Sequence, residues 1–113
     1  MTYPIVIAPV EMYAGDDLVI AAFTLKENTV PVDFSTWTLL CQWRKRASDT
    51  DAIALTVDTT DAATGRLVVS VSAAQTRLMG QSGVWDLQGT KGSIVRTFVR
   101  GSTTYIGDVT RNG

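Results

Sequence analysis

Arg66-Leu67-Val68-Val69-Ser70-Val71-Ser72 is the stretch that decides the fold. Leu67, Val69 and Val71 fall on one side of an extended chain, and Arg66, Ser70 and Ser72 fall on the other. That period of two belongs to a strand with one face against a core. Just before it, Asp61-Ala62-Ala63-Thr64-Gly65 reads as a turn in which Gly65 supplies a positive φ. Just after it the period changes. Ala74-Gln75-Thr76-Arg77-Leu78-Met79, opened by Ser72 or Ala73 and closed by Gly80, predicts one or two turns of helix.

The same alternation recurs along the chain. Tyr3 to Ala8 reads as a strand bracketed by Pro4 and Pro9, which suits a sheet edge because proline cannot donate to a ladder. Asp17 to Lys26 predicts a longer strand with Val19, Ala21, Phe23 and Leu25 inward. Its other face (Leu18, Ile20, Ala22) is apolar enough to be covered too. Glu27-Asn28-Thr29 is a hairpin turn, since asparagine tolerates the left-handed region, and Val30 to Asp33 pairs back. Trp37 to Arg46 places Leu39, Cys41 and Trp43 inward with Gln42 and Arg44 outward. Ile53, Leu55 and Val57 mark a short strand. Trp85 and Leu87 begin another, which Gly89-Thr90-Lys91-Gly92 turns into Ser93 to Arg100. Gly101-Ser102 turns again into Thr103 to Thr110, and residues 111–113 read as a loose tail. Seven or eight strands with turn signals every ~8–12 residues predict one all-β domain over residues 1–113, an antiparallel β-sandwich with one short helical turn. A closed barrel is the alternative.

Composition narrows the function classes. A chain of 113 residues, 45% hydrophobic, holds one packed core. Ten Lys and Arg against 11 Asp and Glu give a net charge of −1, which offers no electrostatic case for nucleic acid. One cysteine closes no internal disulfide. The first residues carry no basic segment, and the run Ile5 to Val10 is broken by Pro9, so no signal peptide is read. No apolar stretch approaches the ~18 residues of a membrane helix.

The chain has no histidine, so nucleophilic catalysis of the Ser-His or Cys-His kind lacks its base. Lys26, Lys45 and Lys91 sit at strand ends or turns. Cys41 alternates with Leu39 and Trp43 and reads as a core residue without an activating group. Of the carboxylate pairs, Asp16 and Asp17 diverge on a strand, while Asp49/Asp51 and Asp58/Asp61 fall in turns where aspartate bonds its own backbone. The glycine-rich pieces lack the strand-loop-helix setting of a phosphate loop. Arg44-Lys45-Arg46 reads as a solvated strand end. No catalytic residue, cofactor, metal or small-molecule ligand is expected.

Surfaces are the better lead. Trp37, Trp43 and Trp85 are three large side chains in a small domain. At least two belong in the core, and an exposed one would suit a sugar or protein contact. Ile94, Arg96, Phe98 and Arg100 share one strand face, opposite Val95, Thr97 and Val99. An Arg-aromatic-Ile face has the composition of a protein interface; alternatively, the N-terminal segment covers it. The candidate contact residues are therefore Tyr3, Ile5, Ile7 and Val10 on a docking edge within residues 1–10, together with Ile94, Arg96, Phe98 and Arg100. Removing residues 2–10 is expected to abolish assembly and leave the sandwich folded.

The order of short motifs carries a resemblance. Gly15-Asp16-Asp17 precedes an apolar strand, then come Val32-Asp33-Phe34-Ser35-Thr36-Trp37 and Gln42-Trp43-Arg44. Asp61 to Val71, Gln75-Thr76, Gly83-Val84-Trp85-Asp86-Leu87 and Gly107-Asp108-Val109-Thr110 follow. From Gly15 to Thr110 the chain resembles the small β-sandwich structural proteins of tailed bacteriophages and prophages, and is similar to the N-terminal domain of baseplate upper proteins. The resemblance implies an immunoglobulin-like fold, a virion location after synthesis in the host cytoplasm, and no catalysis. It implies docking on other phage structural proteins, in several copies around a symmetric particle, as a tail, baseplate or tail-fibre attachment subunit. The sequence stops just after the sandwich, without the coiled coil or fibre that baseplate upper proteins carry. A head-decoration or neck protein, or a carbohydrate- or receptor-binding module with an exposed tryptophan, are the alternatives.

Overall fold

The computed structural model describes residues 4–13, 17–46, 48, 50–79 and 82–106. Its strands are β1 (Ile5–Val6), β2 (Val10–Tyr13), β3 (Leu18–Thr24), β4 (Lys26–Glu27), β5 (Val30–Pro31), β6 (Thr38–Arg44), β7 (Ile53–Ala54), β8 (Thr56–Asp58), β9 (Arg66–Val71), β10 (Gly83–Lys91) and β11 (Ile94–Ile106), with one helix, α1 (Ala73–Leu78). They form an all-β sandwich. The larger sheet runs β1-β11-β10-β6-β7, with β2 continuing beside β11; the smaller runs β3-β9-β8; β4 and β5 make a separate hairpin. The buried faces of the two sheets share one hydrophobic cluster, as in a β-sandwich.

The core follows the alternation. Leu67, Val69 and Val71 of β9 point inward and are buried, as are Cys41 and Trp43 of β6 and Trp85 and Leu87 of β10. One departure from a purely antiparallel sandwich lies at the N-terminus. Ile5 pairs with Val99 and Val6 with Arg100, then Val10 to Tyr13 pair with Thr103 to Ile106, all parallel. The interruption at Ala8 and Pro9 divides these two pairings on an edge, the position where a missing N–H costs least.

Two β-bulges change the predicted faces. In β3 the register steps from Val19↔Ser70 to Ala21↔Val69, leaving Ile20 unpaired. The extra residue turns both Ile20 and Ala21 into the core and leaves Val19 exposed, so Val19 does not belong to the inward set. In β11 the register steps from Leu87↔Val99 to Gln88↔Thr97, leaving Phe98 unpaired. Phe98 and Val99 are consequently both buried. A slip of one residue exchanges the faces of everything beyond it.

Two glycines read as turn signals lie inside strands instead. Gly89 pairs with Arg96 within β10, and the real turn comes at Gly92-Ser93. Gly101 pairs with Trp85 within the unbroken strand β11. A Cβ on Gly89 would sit 2.6 Å from the Phe98 ring, and one on Gly101 2.7 Å from the indole of Trp85. Both positions are glycine because rings occupy the space a side chain would need.

Other turns hold as read. Gly65 has φ 82° and ends a short 3-10 turn. Ser72 caps α1: its hydroxyl accepts from the Gln75 backbone N–H, and the Gln75 side chain accepts from the Ser72 N–H, a reciprocal capping box. Gln75 also donates from Nε2 to the Ala54 carbonyl at 2.7 Å, tying the helix to the larger sheet. The segment Ile53 to Asp58 begins on β6 of the larger sheet and ends on β9 of the smaller one. It crosses at buried Leu55, whose N–H donates to the Cys41 carbonyl at 2.8 Å.

The β4–β5 turn puts Asn28 at φ 50° and Thr29 at φ 69°. Two positive φ values define the hairpin turn that prefers Asn-Gly. A β-branched residue there is strained by ~1–2 kcal/mol. Thr29→Gly is expected to raise stability by about 1 kcal/mol once the added freedom of the unfolded chain is subtracted. Chemical denaturation checks this, and an unchanged or lower midpoint would contradict the turn geometry.

Candidate interaction surface

Strand pairing sets which side chains stand together. Directly opposed residues project to the same face of a sheet. Across the larger sheet, Val6, Arg100, Asp86 and Gln42 form one such row, Ser102, Val84 and Arg44 a second, and Leu40 and Gln88 a third. All project away from the core. Val95, opposite Thr90, belongs to this face as well. Val6 is 64% exposed, Leu40 48%, Val84 37% and Val95 59%. Four large apolar side chains from four strands thus stand in solvent on one side of one sheet. Isolated exposed apolar residues are ordinary; a shared face carrying several of them marks a contact surface.

Part of this face is concave. A cavity of about 420 Å³ is walled by Val6, Pro9 and Val84 and by Arg44, Asp86 and Arg100. Arg44 donates from Nη2 to Gln42 Oε1 at 3.1 Å, while its Nε is buried without an acceptor. Burial pushes the Asp86 carboxyl above its usual range, and the nearby Arg44 guanidinium offsets part of that shift. The surface therefore combines apolar walls with charges of both signs whose hydrogen-bonding capacity is only partly used. Comparison with protein-family models and with curated proteins finds no match.

The predicted contact residues scatter. Ile5, Ile7 and Val10 are half-buried and pack against the core, while Tyr3 lies outside the described residues. The N-terminal segment is part of the sandwich as well as its edge. Removing residues 2–10 strips an edge strand and three packed side chains, so loss of assembly after that deletion would not separate docking from folding. Ile94, Arg96 and Phe98 do share a face, but it is the inner one at the end of the sheet. Phe98 is 1% exposed and is a core residue rather than a contact residue. Its ring meets Phe34 and Trp37 edge-on, each with centroids 5.0 Å apart. The Arg96 guanidinium lies 5.9 Å from the Trp37 and Phe98 ring centres and closes this end of the core. Ile94 is exposed at the hairpin tip. Only Arg100, beyond the bulge, turns to the outer face. Arg44 is read as outward from the sequence, and the alternation that places Leu39 and Trp85 inward leaves Leu40 and Val84 outward as well; that these side chains stand beside Asp86 and Arg100 is set by the ladder.

Two of the three tryptophans are closed to a sugar. Trp43 and Trp85 are each 2% exposed. Trp37 is half-buried against Phe98, with Lys91 Nζ 5.9 Å from its ring centre. Asp58 accepts from the Thr60 backbone N–H at 2.9 Å and from its hydroxyl, which lowers its pKa as for an ordinary turn aspartate. Among the described residues no three Cys, Asp or Glu come together as metal ligands, and no helix is long and apolar enough to cross a membrane.

Cys41 is buried, and burial pushes its thiol from 9.0 up to about 12. A thiol reagent at neutral pH should label the native chain only as fast as it opens, and the denatured chain at once; rapid native labelling would contradict the burial. The folded pKa lies above the unfolded one, so the protonated thiol contributes fully below about 9. That contribution is lost as pH rises from 9.0 towards 12. Cys41→Ala should lessen the alkaline loss of stability over that window.

Proposed function

We propose that the chain is a structural subunit of a tailed-phage particle, in the tail, the baseplate or a tail-fibre attachment, and that it acts without catalysis by docking its outer sheet face on neighbouring proteins. The observation that carries the docking is the exposed face of Val6, Leu40, Val84 and Val95 around a concavity edged by Arg44 and Arg100. Apolar side chains interleaved with arginine are the groups that release most free energy when a partner excludes water from them. The missing histidine and the buried thiol support a role through contact. Placement in a phage particle rests on the ordered motifs from Gly15 to Thr110.

Leu40→Lys combined with Val95→Lys tests the reading. Both side chains are outside the core, so the folded state should persist, seen as an unchanged near-ultraviolet spectrum. Incorporation into purified particles should fall by about tenfold or more. Incorporation at the parental level would remove this face from the docking. Copy number per particle separates a tail or baseplate position from a head-decoration or neck position, because these differ in symmetry.

A further inference from the structure

We infer that the open edge of the smaller sheet accepts an extended, uncharged segment of a neighbouring polypeptide, which adds to β3 as a further strand; this uses a different surface from the outer-face docking and rests on that reading for the presence of a neighbour. The first reason is the main chain. Among the described residues β3 has β9 as its one neighbour in the sheet. The Leu25 N–H donates to the Gly65 carbonyl at 3.0 Å, so Leu25 faces β9. Alternation along an antiparallel strand then turns Phe23 to β9 as well, and turns the N–H and C=O of Ala22 and Thr24 away from it. Among the described residues these outward main-chain groups have no hydrogen-bond partner. They recur two residues apart, at about 6.8 Å, the spacing that another extended backbone matches. A sugar, a helix or a membrane surface offers no such row of alternating donors and acceptors.

The second reason is how the other edges are guarded. β7 has two residues and β8 three, and the β1–β2 edge is interrupted at Ala8 and Pro9. Short strands, prolines and charges are the usual means of keeping foreign strands away. β3 runs for seven residues, and Leu18 to Leu25 contain neither proline nor a charge. Its bulge lies at Ile20, near the start, and Ala21 to Thr24 keep one register. Ala22 and Thr24 carry small, exposed side chains. Phe23 between them is half-buried against the core, so an apolar side chain of the incoming strand, placed opposite Phe23, is shielded from water with it. A charged one would lose hydration there without a partner. A second copy fits less well. Edge-to-edge pairing of two β3 strands would join two sandwiches through these main-chain groups with no broad face, short of the ~800 Å² per partner of a stable interface. A segment of a subunit already docked on the outer face meets β3 at an effective concentration of about millimolar order, where so few bonds suffice.

The test is amide exchange at Ala22 and Thr24, in the free chain and in purified particles, together with Thr24→Pro. In the free chain both amides should exchange quickly, and in particles at least about tenfold more slowly. Proline at position 24 removes an N–H that the sandwich does not use, on an edge where proline is tolerated. Its melting temperature should stay close to that of the parent, and its incorporation into particles should fall about tenfold or more. Thr24→Val, which keeps the N–H, should be incorporated as the parent is. Ala22→Pro repeats the test at the other outward position, and the exchange contrast in the parent decides the matter if neither proline variant folds. Equally fast exchange in both states, or normal incorporation of a folded proline variant, would overturn the proposal. So would self-association of the purified chain that Thr24→Pro abolishes, because the occupant would then be a second copy. If Leu40→Lys/Val95→Lys drops out of particles while Thr24→Pro does not, docking stands and strand addition falls. The opposite pattern keeps strand addition and removes the outer face, and a chain absent from the particles removes both.

Discussion

Replacing Gly83 with valine is expected to lower the stability of the folded chain by about 3 kcal/mol, the upper range for overpacking a core. A Cβ at this position would lie 2.4 Å from two ring atoms of Trp43 and 2.5 Å from the Arg44 carbonyl oxygen. The ring cannot retreat cheaply. Its Nε1 donates to Thr103 Oγ1 at 2.8 Å in a buried hydrogen bond, and both partners are enclosed. Urea denaturation reads the loss as a lower midpoint with an unchanged slope. Two comparisons make the cause specific. Gly92→Asn, at a position where φ is 60° and nothing lies within 4 Å of a Cβ, should cost much less. Combining Gly83→Ala with Trp43→Leu should cost less than the sum of the two single changes, because the smaller side chain leaves room for the methyl. A Gly83→Val chain as stable as the parent would mean that Trp43 is not seated over this glycine.

Phe98→Ala should be at least as damaging, at ~3–5 kcal/mol. Its ring is held between Phe34 and Trp37 and fills the space above Gly89. Small domains have only ~5–15 kcal/mol of stability in all, so this one truncation removes a large share. Arg100→Ala, on the outer face, should change stability by less than about 0.5 kcal/mol. The contrast distinguishes two neighbours that simple alternation places on one surface. If Phe98→Ala were stable and only weakened association, the phenylalanine would have to be returned to the exposed face.

These two residues also show how far the sequence can be read. Where strands are regular, as in β9 and β6, alternation names the buried side chains correctly, because the period of two is set by the backbone itself. Bulges at Ile20 and Phe98 leave no mark in composition, since an added residue in a ladder is visible only against its partner strand. Gly89 and Gly101 look like turn residues because glycine's conformational freedom and its lack of volume give the same letter. Here it is the lack of volume that counts. The outer face stayed hidden for a related reason: Asp86, Arg44 and Arg100 come from three strands, and nothing local tells that the ladder aligns them. The N-terminal pairing is likewise a property of two segments about ninety residues apart.

That pairing has a mechanical consequence. Because β1 and β2 run parallel to β11, a pull that drew the start of β1 and the end of β11 apart would act along the strands. The hydrogen bonds joining them would be loaded together in shear instead of parting one after another like a zipper. A domain wired this way resists tension applied along these strands more than tension applied across them.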